Sequence, residues 1–369
     1  MDVPEDRIKP AYDGAAGSAT SREYEGEHMA QRRVTLADVA RHAGLSTTAA
    51  SWVLNEREDA RLSEDARRRV LAAAQELGYR PNAAARSLRI RKTATIALIS
   101  DTVATTRFAG GMIRGALSVA RDREHVLLIA ETQGDPELER HAIDAMLHRQ
   151  VDGVVYAAMY SRRLTVPQRL LDTRTVLLNA TSAHGLPAVL PAEEDAGYAV
   201  AAALLGQGHR RIAVLGRIES IERSPRRSLA AGLRMRGIRR ALADRGLRLA
   251  VSEHTRDWEA RDGHAGMTSL LERGSIPSAV ICMNDRLAFG AYQAAADAGK
   301  AIPDDISIVS FDDDPIAEWL RPGLTTAALP HEEMGRLAVE LLLDETAEPG
   351  TRWVPMPLRE RGSIGQPAT

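Results

Sequence analysis

Residues 45–55 read LSTTAASWVLN, and the chemistry open to them is narrow. Thr47, Thr48 and Ser51 bring hydroxyls that both donate and accept, and Trp52 brings one indole N–H on a broad apolar face. Ser46 is a residue type that caps a helix N-terminus. Helical spacing puts Ala50, Val53 and Leu54 on the buried side and leaves the hydroxyls and the indole on the other. A helix that enters a major groove N-terminus first reads base edges with such groups. Yet the stretch has no Lys or Arg. Arginine donates two hydrogen bonds to guanine O6 and N7; indole has one donor, and its face suits a thymine methyl. The plainer alternative is that Trp52 packs against a neighbouring helix and reads nothing.

Two further groups of residues have spacing that matters. Residues 78–93 read GYRPNAAARSLRIRKT. Pro81 is a good first residue for a helix of about two turns, and Arg80, Arg86, Arg89, Arg91 and Lys92 flank it with positive charge. Further on, Asn284 and Asp285 follow one apolar run and Asp312 ends another, while Phe108, Tyr156 and Tyr160 follow or end earlier ones. Ligands of doubly wound sheets sit beyond the carboxyl ends of strands, so these side chains are candidate walls of a cleft. Asp285, and Asp314 before Pro315, serve equally well as helix caps.

The elements that would position these groups are of two kinds. Residues 35–79 predict three short helices: TLADVARHA with apolar residues at 36, 39, 40 and 43; the stretch from Ser46 to about Asn55; and SEDARRRVLAAAQELGY, capped by Ser63, with Val70, Ala73, Ala74 and Leu77 inward. Gly44 closes the first helix. From residue 94 the pattern changes to short apolar runs such as TIALIS, GVVYAA, RIAVLG and ISIVSF, separated by helical segments. That alternation predicts parallel sheets covered on both faces. The stretch is long for one such sheet, so two lobes are expected.

The chain has 369 residues, 44% of them hydrophobic, and a formal net charge of −2. The charge is uneven: residues 1–30 carry 3 Lys+Arg and 7 Asp+Glu, residues 31–93 carry 13 and 7, and the remainder 32 and 36. A basic module beside an acidic body implies that one part meets a polyanion. The single cysteine, Cys282, excludes an internal disulfide and a cysteine-built zinc site. No apolar run approaches the roughly 18 residues of a membrane span and no signal peptide is evident, which implies a soluble cytoplasmic protein without a membrane partner. No G-x-G-x-x-G follows the first strand, and there is no P-loop, G-x-S-x-G turn or HExxH pair. Neither an enzyme nor an exported binding protein is expected, and no cofactor or metal is implied.

The motifs V-T-L-A-D-V-A-R-H-A-G-L-S, S-W-V-L-N and L-G-Y-R-P-N-A-A-A-R-S-L occur in that order, then G-H-R-R-I-A (208–213), M-N-D-R-L-A-F-G-A (283–291), I-P-D-D-I-S-I-V-S-F-D-D (302–313) and L-T-T (324–326). Over roughly residues 34–365 the chain resembles the LacI/GalR family of bacterial transcription regulators. The resemblance implies an all-α helix-turn-helix DNA-binding domain plus an α/β periplasmic-binding-protein-like core of two parallel-sheet lobes. It implies a homodimer on near-palindromic double-stranded operator DNA, and a repressor controlled by a small-molecule effector, a sugar, held between the lobes.

The expected DNA contacts are Thr35, Ser46, Thr47, Thr48, Ser51, Trp52 and Asn55, with Asn82, Ala85 and Leu88 in a hinge helix. Leu88 falls where the family wedges an apolar side chain into the minor groove, kinking the duplex. The expected effector residues are Phe108, Tyr156, Arg234, Trp258, Asn284 and Asp312; Arg234 matches a family arginine that binds effector and Trp258 an aromatic that covers a ligand ring.

The expected limits are an acidic disordered tail at 1–32, the helix-turn-helix at 33–80, the hinge and linker at 81–93 and the core at 94–366. Within the core, lobe 1 is expected at about 94–189 and 328–349, and lobe 2 at about 190–327 and 350–366. The sequence departs from the family in its A-A-S-W (49–52), in a longer loop before Leu62, and in having no counterpart to the chain-end helices of tetrameric members. Met29, just before AQRRVTLADVA, is an alternative translation start.

Overall fold

The computed structural model describes residues 34–55, 62–79, 92–103, 106, 109–273 and 276–368. The expected acidic tail, the hinge with Asn82, Ala85 and Leu88, and Phe108 lie outside the described residues. The chain divides into two compact units, one up to residue 82 and one beyond it.

In the first unit, local hydrogen bonds set the helix limits. Helix α1 (Leu36–Ala43) opens with a capping box: Asp38 N–H donates to Thr35 Oγ1 at 3.3 Å, and Thr35 N–H donates to Asp38 Oδ2 at 3.0 Å. Gly44, at φ 64°, ends it in the left-handed conformation that glycine adopts without steric cost. Helix α2 (Thr47–Leu54) is capped by Ser46, whose Oγ accepts from Ala49 N–H at 3.1 Å. Helix α3 (Glu64–Glu76) is capped in the same way by Ser63. Val39, Ala40, Ala50, Val53, Val70 and Ala73 form the small core between the three.

The second unit holds two lobes, each on a six-stranded sheet. The first lobe runs through β1 (Thr95–Ser100), α4 (Ala109–Asp122), β2 (Val126–Glu131), α5 (Pro136–His148), β3 (Gly153–Arg163), α6 (Gln168–Leu171), β4 (Thr175–Thr181) and β5 (Ala188–Pro191). The chain then crosses to α7 (Glu193–Gly206), β6 (Ile212–Arg217), α8 (Glu219–Glu222), α9 (Ala230–Ala243), β7 (Val251–His254), α10 (Ala260–Leu271), β8 (Ala279–Cys282), α11 (Asp285–Asp297), β9 (Ser307–Asp312), α12 (Ile316–Trp319) and β10 (Thr325–Ala328). It returns to the first lobe for α13 (His331–Leu343) and β11 (Thr351–Val354), and crosses once more for β12 (Leu358–Arg359).

The sheet orders are β11-β5-β4-β3-β1-β2 and β12-β10-β9-β8-β6-β7. Every pairing is parallel except β10 with β12. As expected of parallel sheets, the inner strands are buried on both faces. The alternation in β3 shows it: Val155, Ala157 and Met159 pack into one cluster and Val154, Tyr156 and Ala158 into the other.

One boundary differs from the sequence reading. Residues 351–354 pair with β5 in the first sheet rather than joining the second lobe. The strand TRWV is short, with Arg352 and Trp353 exposed, so it carries no apolar period that could assign it to either lobe.

Candidate functional site

On the first unit, α2 presents an uncharged, polar surface. Thr47 and Thr48 are exposed, Ser51 is half-buried, and the Trp52 side chain is 37% exposed, outside the small core. Trp52 is thus not part of the core between the three helices. Asn55 folds back on the helix, its amide donating to Ser51 O at 2.6 Å and Ser51 Oγ at 3.3 Å. The Thr35 and Ser46 hydroxyls are engaged as caps. Thr48 and Trp52, four positions apart, share one face of the helix, and Thr47 lies beside them at its N-terminal end.

Between the lobes of the second unit lies a cavity of about 360 Å³. The carboxyl ends of the strands supply its walls: Met159 to Ser161 from β3, Asn179 from β4, and Asp312 from β9, with Asn284 just past β8. Arg234 of α9 lies on its floor and is only 2% exposed. Its Nε donates to Glu193 Oε2 at 2.6 Å and its Nη2 to Glu193 Oε1 at 3.2 Å, a side-on bidentate pair. Nη2 also donates to Asp312 Oδ1 at 3.1 Å, and Nη1 to Met283 O at 2.5 Å. Among the described residues, four of the five guanidinium N–H groups are thus committed, which leaves one on Nη1. Burial opposes the charge on Arg234, but the two carboxylates outweigh it and hold its pKa above the ordinary arginine range. Phe311 adds a ring 4.5 Å from the guanidinium carbon.

The packing that brings Arg234 to Glu193 is itself sequence-coded. Helices α7 and α9 touch backbone to backbone through Gly197 and Gly237, where a Cβ would run into Arg234 O and Glu194 O respectively. Asp312 sits at φ 110°, a conformation that costs a non-glycine residue about 1–3 kcal/mol and that persists where surrounding contacts enforce it. Buried Asp285 braces the same turn: its carboxylate accepts from Thr326 Oγ1 at 2.8 Å, from Asp314 N–H at 2.7 Å, and from Ser310 Oγ. The cap of α11 is Asn284, whose Oδ1 accepts from Leu287 N–H at 2.9 Å; Asp285 is not that cap. Trp258 lines the cavity with its indole N–H donated to Gly216 O at 2.7 Å.

The structure brings Arg234, Trp258, Asn284 and Asp312 together around the cavity, with Tyr160 at its rim. Tyr156 is a correction. It points to the opposite face of the sheet and donates its hydroxyl to Glu139 of α5, away from the cleft. Glu193, Asn179 and Ser161 were missed by the sequence reading. Ser161 is 7% exposed, and its Oγ has no hydrogen-bond partner among the described residues.

Residues 35–82 match the model described as "Bacterial regulatory proteins, lacI family", and residues 201–364 match the "Periplasmic binding protein-like domain". The chain is 32% identical over 329 residues to the ribose operon repressor of Haemophilus influenzae, covering 86% of this chain and 94% of that one. This chain belongs to the LacI family. Among solved structures, this LacI-family chain is similar to the lac repressor dimer bound to operator and the anti-inducer ONPF, at 25% identity and TM-score 0.75, covering 90% of this chain and all of that one. It is also similar to the regulator CelR in complex with cellobiose, at 27% identity and TM-score 0.62, with the same coverage. The LacI-family chain is a DNA-binding transcription regulator under effector control, and not an enzyme. Among its described residues no helix is long and apolar enough to cross a membrane.

Proposed function

We propose that this regulator is a repressor whose effector is a sugar or a close derivative, held in the cleft between the lobes. The buried Arg234 centre carries the reading. A guanidinium fixed by Glu193 and Asp312 offers one free N–H beside carboxylate lone pairs, the pattern that grips neighbouring hydroxyls of an uncharged polyol. Ser161 Oγ adds a buried hydroxyl in want of a partner, and Trp258 an apolar face for a ring. The cleft lining carries Glu193, Asp257, Glu259 and Asp312 against Arg227, Arg234 and Arg286, a balance that disfavours an anionic ligand. Its volume suits a small ligand, near the lower end of the range of roughly 300–1,000 Å³ for such sites. The names of the ribose operon repressor and of the CelR–cellobiose complex point the same way.

The protein acts as a homodimer on a near-palindromic operator, with Thr47, Thr48 and Trp52 of each α2 turned to the bases. Leu117 on α4, and Val126 and Ile129 on the edge strand β2, are large apolar side chains left 45%, 59% and 40% exposed. An uncovered apolar edge strand invites pairing, and this face supports a dimer contact. Sugar binding shifts the relation of the lobes, and operator affinity is coupled to it reciprocally.

The test is a thermal-shift screen of mono- and disaccharides, followed by calorimetry on Asp312→Asn. A sugar that stabilises the wild type and loses at least about tenfold in affinity in the variant supports the cleft. Undiminished affinity in Asp312→Asn would place the effector elsewhere. For the dimer, Ile129→Glu should sediment as a monomer, and an unchanged dimer would remove β2 from the contact.

A further inference from the structure

A second cavity, of about 450 Å³, opens where the lobes meet on another side, and its chemistry is the reverse of the first. Arg163, at the end of β3, and His184, between β4 and β5, come from the first lobe; Arg223 and Arg226, just past α8, come from the second. Thr165 and Ser224 add hydroxyls, and no acidic side chain lines it among the described residues. Arg223 reaches Glu219 only loosely, at 3.8 Å, with its side chain 81% exposed. The side chains of Arg163, His184 and Arg226 have no ion-pair partner among the described residues.

We propose that this cavity binds a small phosphorylated anion as a second effector, at a site separate from the sugar cleft. Arginine forks match phosphate oxygens bidentately, and hydroxyls supply further donors to the same group. Arg163, His184, Arg223 and Arg226 are all exposed around one hollow that no acidic side chain lines among the described residues, and their combined field favours an anion there. The hollow also straddles a seam: Arg163 N–H donates to Pro225 O at 2.7 Å, and nearby Leu229 N–H donates to Ser161 O at 2.7 Å. An anion held by cations of both lobes favours the arrangement in which those bonds are made. It binds tighter in that arrangement than in any that separates the lobes, and so biases the same equilibrium as the cleft ligand.

Calorimetric titration of the full chain with pyrophosphate and with glycerol 2-phosphate, at constant ionic strength in chloride, tests the site. The wild type should take up one anion per chain at this site. Arg163→Gln combined with Arg226→Gln should weaken that uptake at least about tenfold, while Arg163→Lys with Arg226→Lys retains most of it. The thermal-shift response to the cleft sugar is read on the same variants and should survive, so that failure at one site is distinguishable from failure at the other. Pyrophosphate affinity equal in the wild type and the Gln pair would overturn the proposal. So would a signal that follows ionic strength alone, or binding of poly-glutamate with no binding of either small phosphate.

Discussion

The helical unit and the cleft handle polar groups in opposite ways. In the first, the groups that matter are exposed, and the hydrogen bonds that arrange them run to residues three or four positions away, as from Ala49 to Ser46 and from Asn55 to Ser51. In the second they are buried, and Arg234 finds its partners 41 and 78 positions away, in Glu193 and Asp312. The exposed face of α2 can therefore change its side chains at little cost to the fold. The cleft cannot, because its charges are part of what holds the second lobe in shape.

That contrast is open to measurement. Arg234→Ala leaves Glu193 and Asp312 buried without their counter-charge, and should cost the core about 3–5 kcal/mol in denaturant unfolding. Thr48→Ala, on the exposed face of α2, should stay within about 0.5 kcal/mol. Comparable losses in the two would break the comparison.

Asp285 gives a second handle on the cleft side. Burial first, and the charge of Asp312 second, push its carboxyl up to about 7. A carboxyl raised on folding binds its proton more tightly in the native state. Its contribution is fully present below the unfolded value near 3.9 and is lost as pH rises through about 7. Core stability should therefore fall between those limits by up to about 1.4 kcal/mol per pH unit. Asp285→Asn should flatten that slope; an unchanged slope would show that the group does not titrate there.

The remaining expectations are smaller and belong to the helical unit. Ser46→Ala removes the α2 cap and should cost about 1 kcal/mol, read as a lower midpoint for that unit. Trp52→Arg should alter stability by no more than about 0.5 kcal/mol. Operators selected from random DNA should nonetheless change at one symmetric pair of positions, toward guanine. An unaltered selected sequence would make Trp52 a structural surface residue and leave base reading to Thr47 and Thr48.

The same contrast explains what could be read in advance. Gly44, Ser46 and Ser63 act through bonds to their own neighbours, so residue type and position sufficed to place them. Arg234 and Asp312 came through motif resemblance and strand ends, and the cavity brings them together. Glu193 did not come through, because it stands in PAEEDAG beside Glu194 and Asp195. Nothing local tells which carboxylate is buried; only the crossing of α7 against α9 decides. Tyr156 was misplaced for a related reason. The run GVVYAA is buried on both faces, so it has no alternation from which to tell the face toward the cleft from the face toward α5.

The return of the chain to the first lobe has a consequence for how the protein is made. The first sheet and its covering layer need α13 and β11, yet Thr351–Val354 leave the ribosome about 160 residues after their partner strand, Ala188–Pro191. At roughly 5–20 residues per second, one edge of β5 and the apolar underside of the sheet wait on the order of 10–30 s for their cover. The helical unit is complete long before, and the lobe whose strands emerge first is among the last parts to close. Neither lobe is a continuous stretch of chain, so a truncation that stops short of β11 removes part of the first lobe as well as the end of the second.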